Sequence, residues 1–379
     1  MRYLFELGRQ PEISRAEIEC VFSSLKIEIQ EKKQENSLFF VQTTENINTP
    51  DLMNRLGGTI KIAQEVCSLN NRIEDIAAYL EQVKSVGKIE FSLHGPDGKS
   101  IALEVKKYLK TQGRSVRYIE PKNTATILHN NLVEQKTDLT LWKHTLFATQ
   151  AIQPIEEWGE RDFERPGRDS KSGMIPPKLA RILLNLSQID TTNKATLLDP
   201  FCGSGTILCE AYLLKVPHIL GSDASQKAVN DSKKNIEWIQ NLNPTERKTS
   251  TVKIFVSDAT RVANTVEKES LDAIVSEPYL GKPLTGRETK FTLLQQAKEL
   301  HSLYVQSFQS FSKILKKGGS VVFIIPKFLV QKEWVSINCI DEIKKLGFSV
   351  EPLTSSKDSL FYHRPTQFVG REIWKFKKK

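Results

Sequence analysis

Four short stretches in the second half of the chain carry residue types that could hold a nucleoside. "LLDPFCGSGTI" runs an apolar segment into Asp199, Pro200 and Phe201, then into a turn with Gly203 and Gly205. Glycines at such a turn let the backbone pass close to a ligand with no side chain in the way. "GSD" puts Asp223 at the end of a second apolar segment, where an acid can bind a ribose diol. "VSDAT" puts Asp258 after a third, where a carboxylate can accept from an adenine amine. "SEPY", from Ser276 to Tyr279, follows a fourth. A small polar residue, a proline and an aromatic after a strand is how some enzymes hold a flat, amine-bearing ring. The phosphate-cradling pattern GxxxxGK[ST] and the dinucleotide pattern GxGxxG are both missing. A nucleoside cofactor without phosphates is therefore favoured. Each aspartate also has a plainer reading: a turn cap at Asp199, a helix N-cap at Asp223, a loop aspartate at Asp258.

The elements that must position these residues are legible from periodicity. "ATLLDP", "HILGSD", "TVKIFVSD", "LDAIVS" and "GSVVFIIP" read as strands. "GTILCEAYLLK", "SQKAVNDSKKNIEWI" and "TLLQQAKELHSLYVQSFQSFSKILKK" between them read as helices. Strand and helix in alternation mean a mainly parallel sheet with helices on both faces. Ligands in such folds sit beyond the carboxyl ends of the strands.

The front half reads differently. Residues 1–65 give a strand, a helix starting at Ser14 with Glu17 as capping-box partner, a strand–turn–strand unit, a short helix closed by Gly57 and Gly58, and a further extended stretch. Residues 66–155 alternate amphipathic helices with strands. Lys106, Lys107, Lys110, Arg114 and Arg117 cluster there, with Tyr108 and Tyr118 between them. A basic face interleaved with aromatics suits RNA; a solvated helix face is the plainer reading. Residues 156–177, rich in charge, Gly and Pro, read as a linker. Arg161, Arg165, Arg168, Lys171 and Lys178 could meet phosphates there, or pair with neighbouring acids to fix the boundary.

The 379 residues carry a formal charge of +9, compatible with a polyanionic partner. The five cysteines are scattered and form no CxxC pair, which points to free thiols in a reducing cytoplasm and to no metal site. No apolar run is long enough to span a membrane, and the N-terminus carries no export signal.

"DPFCGSGT", the following two aspartates and "SEPY" together resemble the amino-methylating class of S-adenosylmethionine-dependent methyltransferases. "RDFERPGRDSKSGMIPPKLARILLNLS", "LGGTIKIAQEV", "GRSVRYIEPK" and "RPTQFVGREIW" narrow the resemblance to the tRNA guanosine-10 N2-methyltransferase family. That resemblance implies an α/β fold: a Rossmann-like class I methyltransferase domain over 178–379, preceded by small α+β RNA-binding units. Those units are ferredoxin-like over 1–65 and THUMP-like over 66–155. It implies S-adenosylmethionine as cofactor and tRNA as partner, with Asp199, Gly203 and Gly205 on the methionine and ribose side, Asp223 on the ribose and Asp258 on the adenine. Eukaryotic relatives use a small zinc-binding activator subunit, and nothing in this sequence marks a docking site for one.

In the related loops a side-chain Asp, Asn or Ser and a proline carbonyl accept from the target amine, and the aromatic stacks on the base. Here Ser276 fits, Pro278 and Tyr279 fit, and Glu277 stands where the first proline normally is. Its carboxylate could face the cofactor or the RNA, pair with Lys282, or itself accept from the amine if the register slips by one. Three functions stay in contention: guanine-N2 methylation of tRNA, adenine-N6 methylation of DNA or rRNA, and RNA binding without catalysis.

Overall fold

The structure, a computed structural model, describes residues 1–168, 174–192, 194–242 and 250–379. Two units emerge: Met1–Pro11 with Leu25–Pro154, and Glu12–Ser24 with Ile155–Lys379.

The first unit is built on β1 (Arg2–Leu7), β2 (Ile29–Glu35), β3 (Leu38–Thr43), β4 (Thr59–Ser68), β5 (Ile89–His94), β6 (Val116–Tyr118), β7 (Asp138–Trp142) and β8 (Thr145–Ile152). They form one eight-stranded sheet in the order β2-β3-β1-β4-β8-β7-β5-β6. The stretches read as separate units share this sheet. The boundary after residue 65 falls inside β4, and β4 pairs antiparallel with β8, Gln64 opposite Ala148.

Helix α1 (Pro11–Ser24) starts three residues before Ser14, and its Glu12–Ser24 portion groups with the second unit. Pro11 suits a first helical turn, where its missing N–H is not needed. Ser14 and Glu17, read as a capping box, are both buried. Helices α2 (Thr49–Arg55), α3 (Arg72–Val83), α4 (Gly98–Thr111) and α5 (Thr124–His129) complete the first unit. Its larger core packs Ile76, Leu80, Val105 and Leu109 from α3 and α4 onto Phe91, Leu93, Leu139 and Leu146 of the sheet.

A buried polar cluster ties both halves of this sheet. The Asp138 carboxylate on β7 accepts from Ser92 Oγ of β5 (2.5 Å) and Thr149 Oγ1 of β8 (2.6 Å). It also meets His94 Nε2 of β5 (2.8 Å) and Lys61 Nζ of β4 (3.4 Å). Burial opposes its ionisation, but the His94 contact, the Lys61 charge and the Ser92 hydroxyl together hold the carboxyl well below the ordinary range. The folded state therefore favours the ionised form. Its stabilising contribution is present above the unfolded pKa near 4 and is lost as pH falls below it. Asp138→Ala is expected to cost, at pH 7, about 1–3 kcal/mol for each buried hydroxyl that loses its acceptor, Ser92 and Thr149, while Lys61 keeps Glu6 at 3.2 Å. Chemical denaturation followed on this unit should find the gap between variant and wild type narrowing below about pH 4.

The second unit adds α6 (Ile155–Phe163), α7 (Pro177–Ser187), α8 (Thr206–Leu213), α9 (Gln226–Leu242), α10 (Lys290–Ile314) and α11 (Ile340–Lys345). Its strands are β9 (Thr196–Asp199), β10 (His218–Asp223), β11 (Thr251–Val256), β12 (Leu271–Ser276), β13 (Leu315–Val330), β14 (Glu333–Val335), β15 (Phe348–Val350), β16 (Ser359–Tyr362) and β17 (Val369–Lys378). The sheet runs β11-β10-β9-β12-β13-β17-β15, with β14 on β13 and β16 on β17. The first five strands are parallel, and β17 returns antiparallel. Strands covered on both faces read as unbroken apolar runs. In β12, Ala273 and Val275 face the core under α7 and α8, while Ile274 faces the core under α10.

The stretch read as a linker is ordered at its start. α6 forms there because Trp158 and Arg161, one turn apart, are both buried. Glu210 of α8 accepts from Arg161 Nε and from Arg181 Nε of α7, each at 2.9 Å, with Trp158 lying under Arg161 at 4.1 Å.

Candidate functional site

β9 and β12 are neighbours in the sheet although α8, β10, α9 and β11 intervene in the chain. β10 continues on the far side of β9, so the strand order reverses between β9 and β12. A crevice beyond the carboxyl ends of the strands at such a reversal is where open α/β sheets bind ligands. A cavity of about 460 Å3 opens there, a size suited to a small molecule. Asp199, Pro200, Phe201, Gly203, Asp223, Asp258, Glu277, Pro278 and Tyr279 line it. Met174, Lys227 and Arg371, which sequence reading did not place in the site, line it too.

Asp199 ends β9 and Ser276 ends β12. Ser276 Oγ donates to Asp199 Oδ1 at 2.6 Å, and the Phe201 N–H donates to the same oxygen at 3.1 Å. Ser276 is fully buried and does not line the cavity. Gly203 has φ +51, and a Cβ there would meet nothing within 4 Å. Its N–H donates to Asp223 Oδ2 at 3.0 Å, and Ser225 N–H donates to Oδ1 at 2.8 Å. Asp223 thus braces the glycine turn and the start of α9 as well as lining the cavity. Gly205 serves packing instead: it has φ +83, and a Cβ would lie 2.9 Å from Ser232 Oγ of α9. Asp258 N-caps the short 3-10 helix Ala259–Asn264, accepting from Thr260 N–H and Oγ1 on one oxygen at 2.8 and 2.7 Å.

The loop after β12 is tethered at several points. Glu277 pairs with Arg371 of β17, Nε to Oε1 at 2.5 Å, in place of the Lys282 partner considered from sequence. Tyr304 Oη of α10 donates to the Tyr279 carbonyl at 2.7 Å. Tyr279 is 52% exposed, so its ring can meet a planar partner. Arg371 and Tyr304 escaped sequence reading because their partners lie 94 and 25 residues away.

The lining is acidic: Asp199, Asp223, Asp231, Asp258 and Glu277 against Lys227 and Arg371. Burial pushes the Asp199 carboxyl up to about 7, Asp223 and Glu277 add repulsion, and the bonds from Ser276 and Phe201 oppose the rise. Such a lining disfavours phosphate and suits a ligand carrying positive charge. With open space over Gly203, the residues present fit a cationic nucleoside.

The expected RNA contacts divide. Lys107 and Lys110 are exposed on α4, and Lys106 is half-buried. Arg117 is exposed, with Glu90 Oε1 at 3.5 Å. Arg114 instead donates to the carbonyls of Ser85 (2.7 Å) and Lys84 (2.5 Å), bracing the end of α3. Tyr108 and Tyr118 pack partly against the first unit's core. Arg165 is a correction: it is buried, donates to Thr206 Oγ1 at the start of α8 and contacts Met174 Sδ at 3.3 Å. Gly167 beside it is gripped by Asn235, which accepts from its N–H at 2.7 Å and donates to its carbonyl at 2.8 Å. Arg168 stays exposed and donates to the Asp162 carbonyl at 3.1 Å. Lys171 lies outside the described residues.

Residues 165–345 match the sequence model of the RMKL-like methyltransferase domain. The tRNA (guanine(10)-N2)-dimethyltransferase of Pyrococcus abyssi is 25% identical over 366 residues, 92% of this chain and 93% of that one. The protein of the same name from Methanothermobacter thermautotrophicus is 29% identical over 157 residues, only 41% of this chain and 40% of its own. The crystal structure of TrmN from Thermus thermophilus covers all of both chains with a TM-score of 0.55 at 14% identity, a likeness of fold. The glycine turn, the strand-end aspartates and the loop after β12 all fall inside the segment that matches the RMKL-like methyltransferase domain.

Proposed function

We propose that this protein transfers a methyl group from S-adenosylmethionine to the N2 amine of a guanosine in tRNA, at position 10. One observation carries the reading. The glycine turn after β9 and the Pro278–Tyr279 loop after β12 face one acidic cavity at the sheet's reversal point. The first suits a cationic nucleoside cofactor and the second an amine-bearing base. The named relatives supply the RNA and the guanine. Bound there, the cofactor would supply an electrophilic methyl on a sulfonium.

In this reading Asp199, Pro200, Phe201 and Gly203 hold the methionine and ribose side, Asp223 the ribose hydroxyls and Asp258 the adenine amine. Gly205 keeps the turn close to α9. Tyr279 stacks on the target base. A guanine amine is a poor nucleophile, so the loop must orient it toward the methyl and accept its hydrogen bonds as charge develops. Ser276 is fully buried off the cavity with its hydroxyl hydrogen given to Asp199, and Glu277 Oε1 is held by Arg371. Backbone carbonyls of the loop are then the acceptors. The front segments, ferredoxin-like over 1–65 and THUMP-like over 66–155, present tRNA, with Lys106, Lys107, Lys110 and Arg117 toward its backbone. Residues 178–379 form the catalytic domain, and the protein works in the cytoplasm. No helix of the described residues is long and apolar enough to cross a membrane.

The test is incorporation of labelled methyl from S-adenosylmethionine into unmodified tRNA transcripts with and without guanosine at position 10. Label is expected only where the guanosine is present. Equal labelling of both transcripts would sink the position, and labelling of duplex DNA instead would favour the adenine-N6 reading.

A further inference from the structure

Glu277 stands where the loops this one resembles carry a proline, and it is paired with Arg371. Both side chains are nearly buried, 9% and 11% exposed, and both residues line the cavity. Arg371 sits on β17, opposite Pro326 of β13, and β13 lies between β17 and β12. The guanidinium therefore reaches back past a whole strand to grip the first residue after Ser276. The rest of the loop is held from α10. Tyr304 binds the Tyr279 carbonyl, and Gln296 Oε1 accepts from Lys282 N–H at 3.0 Å. Gly281, at φ +95, presses so closely on Gln296 that a Cβ would lie 2.4 Å from its Nε2.

A proline at 277 would fix its own φ with no partner. Glutamate gives up that restriction. A desolvated ion pair is a poor source of stability, and its best-attested use is to select one arrangement. We propose that Arg371 and Glu277 form a clamp that stands in for the missing proline and sets the loop for methyl transfer. Arg371 is a positioning residue, and Glu277 works through Arg371 rather than on the base. This rests on the base-holding reading of the loop given above.

The test uses the full-length protein with Arg371→Met, Arg371→Lys, Glu277→Pro and the double variant Glu277→Pro/Arg371→Met. Three quantities are measured: S-adenosylmethionine affinity by calorimetry, kcat and KM for tRNA, and amide exchange over residues 277–282. Arg371→Met is expected to lower kcat ~10- to 100-fold, the scale on which a misplaced reacting group acts. Cofactor affinity should stay within about twofold, and the loop amides should exchange faster. Glu277→Pro alone should slow transfer as well, because it strands the guanidinium. The double variant should recover most of the rate, since proline fixes the loop and no lone charge remains. Arg371→Lys keeps the charge without the planar fork, and a several-fold loss is expected. A carboxylate acting directly on the base would leave the double variant as slow as Glu277→Pro, which overturns the clamp. So would wild-type kcat and exchange in Arg371→Met, or in Arg371→Lys should the methionine variant not fold. If the wild-type protein methylates no RNA, the proposed function fails while the exchange measurement still decides the clamp.

Discussion

Asp199→Ala is expected to abolish S-adenosylmethionine binding while leaving the protein folded. The carboxylate is the centre of the site: it ends β9, takes the hydroxyl of Ser276 across the sheet's reversal point, and orders the turn through Phe201 N–H. It is also a liability to the fold. Burial raises its pKa from an ordinary 3.8 to about 7, with Asp223 and Glu277 adding to the rise. A raised carboxyl means that the folded state holds its proton more tightly than the unfolded chain. The stability it contributes is complete below about pH 4 and is lost as pH climbs to about 7. At about 1.4 kcal/mol per unit the loss is on the order of 4 kcal/mol. Alanine removes that cost but leaves the Ser276 hydroxyl and Phe201 N–H without an acceptor, at about 1–3 kcal/mol each. The two nearly cancel at neutral pH. Melting of the wild type across pH 4–8 should therefore show a downward slope that the variant lacks. Calorimetric titration with the cofactor should find no binding, and an affinity within tenfold of wild type would remove Asp199 from the site.

Glu210→Leu is expected to be the most damaging change to the fold outside the cavity. Glu210 is 1% exposed, and its two oxygens serve two buried arginines, Arg161 from α6 and Arg181 from α7. Removing one member of a buried ionic group leaves the remaining charges uncompensated, and the cost is roughly 3–5 kcal/mol. Here two guanidiniums lose their buried acceptor; Arg161 keeps Glu157 at 3.5 Å, and the Trp158 ring lies beside both. Against a typical stability of about 5–15 kcal/mol, that is a large share. Because the chain has two units, a single unfolding midpoint is a poor measure. Amide exchange over α6, α7 and α8 reads the effect directly, and a loss of protection there is expected. Unchanged exchange in those helices would show that apolar packing alone anchors α6.

Legibility in the sequence followed distance along the chain. The turn after Asp199 and the acids at 223 and 258 each sit within a few residues of the strand that presents them, and local patterns carry such information. The same holds for the loop at 276–279. Arg371 could not be read, because only the sheet order brings β17 beside β13 and within reach of Glu277. Gly205 was expected at the cofactor; nothing local says that Ser232 of α9 fills the space over it. Arg165 looked like a surface cation because its neighbours are charged, yet Thr206 and Met174 draw it inside. The linker reading of 156–177 failed at α6 for the same reason. Glu156, Glu157 and Glu160 dominate the composition, while the turn-spaced Trp158 and Arg161 decide the structure. The sequence places the helix from Ser14 with residues 1–65, but a local pattern cannot say which unit receives its buried face.

That helix also constrains how the molecule can be made. Ile13 and Ala16 belong to a core whose other members begin at Ile175, and Glu17 accepts from Asn185, 168 residues later in synthesis. At roughly 5–20 residues per second a ribosome needs on the order of ten to thirty seconds to deliver that partner. During this interval α1 is finished, but Ile13, Ala16 and Glu17 still lack the partners that come from α7 and beyond. The two units thus cannot mature strictly one after the other. Nor does a cut near residue 155 separate them: a fragment starting there lacks α1, and one ending there carries α1 without the core that receives Ile13 and Ala16.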